Sequence, residues 1–170
     1  MLLLVRHGET DWNAEGRLQG HTDRPLNEYG RTQARKLADE LAGDGVAAIY
    51  ASDLARARET AEILGSRLGL PVAVDPGLRE KDWGSWEGLT ADERLSVELV
   101  GETTEAHRER VLAALRRIVD RHAGERVVVV THGGSLRRIQ AAVAGVAEPV
   151  VDNCAVWACV HEDGAFRPVD

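Results

Sequence analysis

The stretches LLLVRHGETDWN at residues 2–13 and GERVVVVTHGG at residues 124–134 share one pattern. Each carries a short, almost unbroken run of Leu or Val, as expected of a β-strand covered on both faces. Each run then stops, the first at Arg6-His7-Gly8 and the second at Thr131-His132-Gly133-Gly134. A cation and two imidazoles gain nothing from the core those strands occupy, so their position needs a reason. Parallel sheets supply one, because ligands bind outside the carboxyl ends of such strands, where strand order reverses. The second ending also leads into a helix, whose free N–H groups and dipole favour an anion.

Working outward, short apolar runs alternate with amphipathic stretches. Strands are predicted at 1–5, 46–51, 71–75, 126–131, 154–160 and 165–169, and helices near 28–42, 53–68, 103–122 and 134–144. Leu54, Ala57, Ala61, Leu64 and Leu68 keep a helical period, as do Val111, Leu115, Ile118 and His122, with Gly124 placed to end the latter helix. Such alternation predicts an α/β fold, a three-layer α/β/α sandwich around a mainly parallel central sheet. No linker or low-complexity segment interrupts it, so residues 1–170 are expected to form a single domain. The segment 9–29 is too long for a simple connection, and long loops of this kind are commonly functional.

The 170 residues carry a formal charge of −7, which argues against nucleic acid or an anionic membrane as partner. It leaves room for a local basic pocket. MLLLV is too short for a signal peptide and lacks a preceding basic stretch, and no apolar run approaches the roughly 20 residues that span a bilayer. Cys154 and Cys159 fall in one predicted strand, NCAVWACVH, where about 16 Å and opposite faces separate them. Reduced cysteines without an export signal lead us to expect the cytoplasm.

Several residues are candidates for chemistry. In YASDLARARETAEIL, Ser52 or Asp53 is a suitable cap, and Arg56 then falls in the first helical turn, where the dipole disfavours a cation. Either Arg56 pairs with Glu59 at the surface, or something negative sits opposite it. Arg58 and Glu62 form an ordinary helical pair. Trp12 and Leu18 anchor the long loop, while Asn13, Arg17, Gln19 and Thr22 are its donors. In LREKDWGSWEGL, residues 78–89, Glu80, Asp82 and Glu87 are candidate acids, with Trp83 and Trp86 as a possible apolar wall. Of the six histidines, His107 and His161 are expected to face solvent, His122 to belong to a helix end, and His21 stays open. The pair His7 and His132 stands apart. Two histidines can mark a metal site, but neither brings an acidic ligand in a familiar spacing, and Arg6 would repel a cation. Arginines attract phosphate instead, so no metal or cofactor is expected.

Read together, the motifs resemble the histidine phosphatase superfamily, specifically small bacterial-type phosphatases of its phosphoglycerate mutase-like branch. LLLVRHGETDWN follows the family pattern R-H-G-(E/Q)-(S/T)-x-x-N through Asn13. GHTDRPLNEYGRTQA, residues 20–34, is similar to its next stretch, with Asn27 in place of the usual hydroxyl cap. SDLARARETA maps the second phosphate arginine onto Arg56, LREKDWGSWEGL maps the proton donor onto Glu80, and VVVVTHGGSLR maps the second histidine onto His132. The resemblance implies a phosphoglycerate mutase-like sandwich that hydrolyses a small phosphomonoester through a phosphohistidine on His7. Arg6, Arg56 and His132 would neutralise the phosphoryl oxygens, with Asn13, the helix N–H near Gly133 and Thr22 as further contacts. Glu80 would protonate the leaving oxygen and later take a proton from water.

Departures from the family bear on the substrate. Family mutases follow the acid with Arg-His-Tyr, whereas Lys81-Asp82-Trp83 stands here. The cap segment around 81–103 is short, and Val100-Gly101-Glu102-Thr103 reduces the family's P-G-G-E-S. A short cap admits water, which favours a phosphatase over a mutase. The alternatives are a phosphoglycerate mutase-type phosphotransferase and a catalytically silent phosphate-binding regulator. Arg17, His21, Arg24, Lys81 and Trp86 are candidates for the pocket rim, and the chain is expected to be a monomer or a homodimer.

Overall fold

The computed structural model describes residues 1–144 and 151–169. Strand β1 (Leu2–Arg6) is followed by the one-turn α1 (Asp11–Ala14) and by α2 (Glu28–Glu40). Then come β2 (Val46–Ala51), α3 (Ala55–Leu68), β3 (Val72–Val74), α4 (Thr104–Arg121), β4 (Arg126–Thr131) and α5 (Gly133–Ala144). The antiparallel pair β5 (Val156–Glu162) and β6 (Ala165–Pro168) closes the chain. The sheet order is β3-β2-β4-β1-β5-β6. The first four strands run parallel, and β5 pairs antiparallel with β1.

Alternation along the strands builds the two outer layers. Leu2, Leu4, Val127 and Val129 point to one face, against Val111, Leu115 and Ile118 of α4 and Leu136 and Ile139 of α5. Leu3, Val5, Val128 and Val130 point to the other, against Leu37 of α2 and Ala57, Ala61 and Leu64 of α3. Each fully buried Leu or Val contributes about 1.5–3 kcal/mol, which is why the strands read as continuous apolar runs. The chain therefore leaves β1 toward one face and leaves β4, its neighbour, toward the opposite face. The gap between those departures is the crevice expected at a reversal of strand order. Pairing of Arg6 with Thr131 sets His7 and His132 side by side at its floor.

Three local expectations change. Neither Ser52 nor Asp53 is the cap residue of α3. Leu54 holds that position without a side-chain bond, and the Oδ1 of Asp23, brought in by the long loop, accepts the Ala55 N–H at 2.7 Å. Cys154 lies outside β5, in a turn at φ 59°, while Cys159 is in the strand; both are free thiols. Burial pushes each thiol up to about 12. The 9–29 segment is also less open than its length suggests. Thr10 and Asn13 form a reciprocal capping box around α1, and Asn27 caps α2 by accepting the Gly30 N–H at 2.7 Å.

Glycine at the start of α2 lets backbone meet backbone. A Cβ on Gly30 would stand 2.6 Å from the Glu9 nitrogen, and one on Gly8 would stand 2.5 Å from the Gly30 carbonyl oxygen. At an unobstructed helical position, Gly→Ala stabilises by about 0.5–1 kcal/mol. Here the sign reverses. Gly30→Ala is expected to destabilise by about 1–3 kcal/mol, lowering the melting temperature by roughly 2–4 °C per kcal/mol. A thermal melt that rises or stays level would show that these backbones can part.

Candidate active site

His7 is buried at the end of β1, and its backbone N–H donates to the Thr131 carbonyl at 3.0 Å. Its Nδ1 lies 2.7 Å from the Gly8 carbonyl oxygen. A carbonyl only accepts, so Nδ1 carries the ring proton and Nε2 keeps the lone pair. The next residue is tied as well. The Gly8 N–H donates to Thr60 Oγ1 at 3.0 Å, and that hydroxyl donates to the Arg56 carbonyl at 2.7 Å. The His7 ring is thus held from β4 and from α3 together.

The His132 ring lies 5.2 Å from that of His7, inclined by 61°. Among the described residues neither nitrogen of His132 has a protein partner, nor do Nε of Arg6 or Nε of Arg56. Arg56 is 1% exposed. Its Nη1 donates to the Thr22 carbonyl at 3.1 Å and its Nη2 to the Gly20 carbonyl at 2.7 Å. The surface pairing with Glu59 does not form, because Glu59 is taken by Arg31. Arg58 does pair with Glu62. Arg6 is fixed by donation from Nη1 to the Val151 carbonyl.

Burial sets the electrostatics. It draws Arg56 down to about 10, which leaves the guanidinium charged at neutral pH. Burial, then Arg56, holds His7 and His132 well below the usual imidazole range, with Arg6 adding to the effect on His7. Two neutral imidazoles and two cations therefore converge without an ion-pair partner among the described residues. An unsatisfied buried donor costs about 1–3 kcal/mol. A cluster of them is stabilised by an anion with several acceptor oxygens.

Glu80 faces this cluster. Its Oε1 accepts the Lys81 N–H and its Oε2 the Gly134 N–H, both at 2.8 Å. A Cβ on Gly134 would collide with the carboxylate, which explains the second glycine after His132. The Gly134 N–H at the start of α5 thus serves Glu80. Arg110 of α4 donates to the carbonyls of Gly77, Arg79 and Glu80, clamping the segment that delivers the acid. His21 Nε2 also reaches the Glu80 carbonyl, at 2.9 Å.

His107 corrects the sequence reading, which placed it in solvent. It is fully buried, with Nε2 3.0 Å from Ser135 Oγ and 3.7 Å from Glu80 Oε1. The signal was available, since His107 precedes Val111 by one helical turn on the same face. His122 does sit at the end of α4, bonded to Tyr50 and Glu125.

Arg6, His7, Arg56 and Glu80 line a cavity of about 180 Å³ that also takes in Asn13, Arg17, Gln19, Trp83, Gly133 and Arg137, while His132 is not among its lining residues and adjoins it through the His7 ring. Arg137 was not singled out from the sequence, although it lies inside VVVVTHGGSLR. The Thr22 hydroxyl donates to Glu87 Oε2 at 2.5 Å, and Glu87 also accepts the N–H groups of His21, Thr22 and Trp83. Glu87 is thus a clasp between the loop and the cap segment. Asp82 accepts the Gly84 N–H. Of the other rim candidates, Arg24 pairs with Asp11, Lys81 stands 4.2 Å over the Trp83 ring, and Trp86 stacks on Trp83. Among the described residues, no three His, Cys, Asp or Glu side chains gather as a metal-binding group, and no helix is long and apolar enough to cross a membrane.

Comparison with known proteins gives a consistent answer. The model of the histidine phosphatase superfamily (branch 1) matches residues 2–169. The chain is 41% identical over 157 residues to phosphoglycerate mutase-like protein 4 of Arabidopsis thaliana, covering 81% of this chain and 68% of the relative. It is 38% identical over 157 residues to a metal-independent phosphoserine phosphatase of the same plant, covering 81% and 66%. Among solved structures, Bacillus stearothermophilus YhfR superposes with a TM-score of 0.89 at 38% identity, over 98% of this chain and 94% of that one.

The depressed imidazoles fix the sign of a pH effect. His7, His132 and His107 are held below 6.5 by burial, so below that pH the unfolded chain takes up protons the native one refuses. Stability is then full above about 6.5 and is lost as pH falls, by up to about 1.4 kcal/mol per pH unit for each histidine. Thermal melts from pH 7.5 to 5.5 are expected to show this decline, and inorganic phosphate is expected to lessen it. A level profile would mean that the imidazoles are not buried neutral.

Proposed function

The chain belongs to the histidine phosphatase superfamily, and we propose that it hydrolyses small phosphomonoesters through a phosphohistidine formed on His7. The observation that carries this reading is one cavity uniting the His7 lone pair, the Arg6 and Arg56 guanidiniums and Glu80, with the His132 ring packed against that of His7. His7 Nε2 attacks phosphorus while the ester P–O bond breaks. Charge spreading over the non-bridging oxygens meets Arg6, Arg56, His132 and the amide of Asn13. The backbone at Gly133 is a secondary contact, whereas Thr22, expected from the sequence to be another, gives both its N–H and its O–H to Glu87 and does not line the cavity. Glu80 gives its proton to the departing oxygen, which leaves as an alcohol. Water then attacks the phosphohistidine, Glu80 takes one of its protons, and phosphate departs with His7 restored.

Imidazole carries its own lone pair at neutral pH, so this sequence runs without a metal or other cofactor. The family relative named a metal-independent phosphoserine phosphatase supports that part of the reading. Residues 1–170 act as one domain, with 81–103 as a short cap that lets water reach the intermediate. Hydrolysis is favoured over phosphoryl transfer by that short cap and by Lys81-Asp82-Trp83 where mutases carry Arg-His-Tyr. A silent regulator is disfavoured because Arg6, His7, Arg56, Glu80 and His132 all stand in the cavity or against it. The partner is a small phosphorylated molecule rather than nucleic acid or membrane, in the cytoplasm, with the enzyme a monomer or homodimer.

Two measurements test the chemistry. Hydrolysis of p-nitrophenyl phosphate in excess EDTA is expected to persist in the wild type and to fall by roughly 10³-fold or more in His7→Ala. Near-wild-type turnover in the variant would remove His7 as nucleophile. Glu80→Gln is expected to slow alkyl phosphate hydrolysis by about 10²-fold or more and p-nitrophenyl phosphate far less, since general-acid help matters when the leaving oxygen is basic. Equal losses on both substrates would move the acid elsewhere.

A further inference from the structure

We propose that Asn153, a residue outside the cavity, is a positioning residue that sets which end of the Asn13 carboxamide faces the bound phosphate. The proposal rests on reading the cavity as a phosphate site, and it assigns a role to the far C-terminal part of the chain that the mechanism above does not use.

The two N–H bonds of one side-chain amide do the work. Asn153 Nδ2 donates to the His7 carbonyl at 2.9 Å and to Asn13 Oδ1 at 3.3 Å. Asn13 Oδ1 also accepts the Thr10 N–H at 3.2 Å. A carboxamide has one accepting end and one donating end, so two donors on the same side identify the oxygen without ambiguity. The Asn13 NH₂ is then the end left for the cavity that Asn13 lines. Turned the other way, the amide would present an oxygen to phosphate and repel it. Thr10 alone is a weak guarantee, because α1 is a single turn and short helices fray. Asn153 supplies the second tie and references it to the carbonyl of the proposed nucleophile.

The backbone around Asn153 is arranged to hold this geometry. Asp152 to Ala155 form a turn closed by the Ala155 N–H on the Asp152 carbonyl at 3.1 Å. Its third residue, Cys154, takes φ 59°, a position that such a turn reserves for glycine or asparagine. A left-handed non-glycine residue is unfavourable and persists only where its surroundings over-determine it. Here the Cys154 N–H is claimed by the Arg6 carbonyl at 3.0 Å, and the Arg6 N–H donates to Ala155 at 3.1 Å. The turn is riveted to the end of β1, and Asn153 projects from it across His7 to α1.

The test is inorganic phosphate binding at pH 7.5 by titration calorimetry, a readout independent of turnover. Wild type, Asn13→Ala, Asn153→Ala, Asn153→Asp and the double alanine variant are compared, with a thermal melt for each. Asn13→Ala and Asn153→Ala are each expected to weaken phosphate about tenfold, and the double variant no more than Asn13→Ala alone. Asn153→Asp, nearly the same shape, is expected to bind phosphate more weakly than Asn153→Ala, because its carboxylate faces two acceptors and turns the Asn13 amide around. Losses that add in the double variant, or Asn153→Ala binding like wild type, would overturn the proposal. If Asn153→Ala does not fold, Asn153→Ser replaces it in the same cycle. Failure of the hydrolysis reading is separately visible: turnover retained in His7→Ala, with phosphate coupling intact, would remove the phosphohistidine and leave Asn153 in place. Absence of phosphate binding by wild type would remove both.

Discussion

His7 donates its backbone N–H to Thr131, extending the parallel ladder of β1 and β4 one step past its last residue pair. That bond brings the two strand-end motifs into one register, and the rest of the site is assembled around it. Because the chain leaves β1 and β4 toward opposite faces, no helix among the described residues covers the gap between them. The groups at the two ends, Arg6, His7 and His132, therefore surround a crevice rather than a core.

Filling that crevice with cationic and imidazole groups is costly, and the fold offsets the cost with backbone acceptors rather than carboxylates. Arg56 is held through its Nη atoms by the carbonyls of Gly20 and Thr22, and Arg6 by that of Val151, which among the described residues leaves the Nε donor of each free for a ligand. A carbonyl fixes a guanidinium without cancelling its charge, so the positive field stays available to an anion. The acidic side chains nearby do a different task. Glu87 holds four N–H or O–H donors of the loop and cap segment, Asp23 caps α3, and Glu102 pairs with Arg110 behind Glu80. This is how a chain of net charge −7 keeps a basic cavity: its negative charges secure the walls. Among the described residues Glu80 is the acidic side chain that enters, and backbone N–H groups of Lys81 and Gly134 aim it.

The comparison with relatives shows the family and the fold, and the cavity rim carries residues from several parts of the chain. Trp83 lines the cavity with Lys81 over its ring and Trp86 stacked on it, and Arg17 and Arg137 complete that side. These groups come from three separate segments, and their arrangement depends on the course of the short cap.

The two apolar runs ending in histidine, the helical periods and the ordered motifs determined the layered α/β fold and its mainly parallel sheet, and singled out Arg6, His7, Arg56, Glu80 and His132 as candidate site residues. They could do so because strand and helix periodicity are local properties, and because a charged group at a strand end is conspicuous in one dimension. The tertiary structure decided what those residues touch. That Asp23 caps α3, that His107 is buried behind Glu80, that Glu87 is a clasp, and that Asn153 reaches His7 across the sheet all depend on contacts between segments far apart in the chain. A polar side chain looks the same in sequence whether it meets water or a distant backbone carbonyl, and only the packed fold supplies the partner.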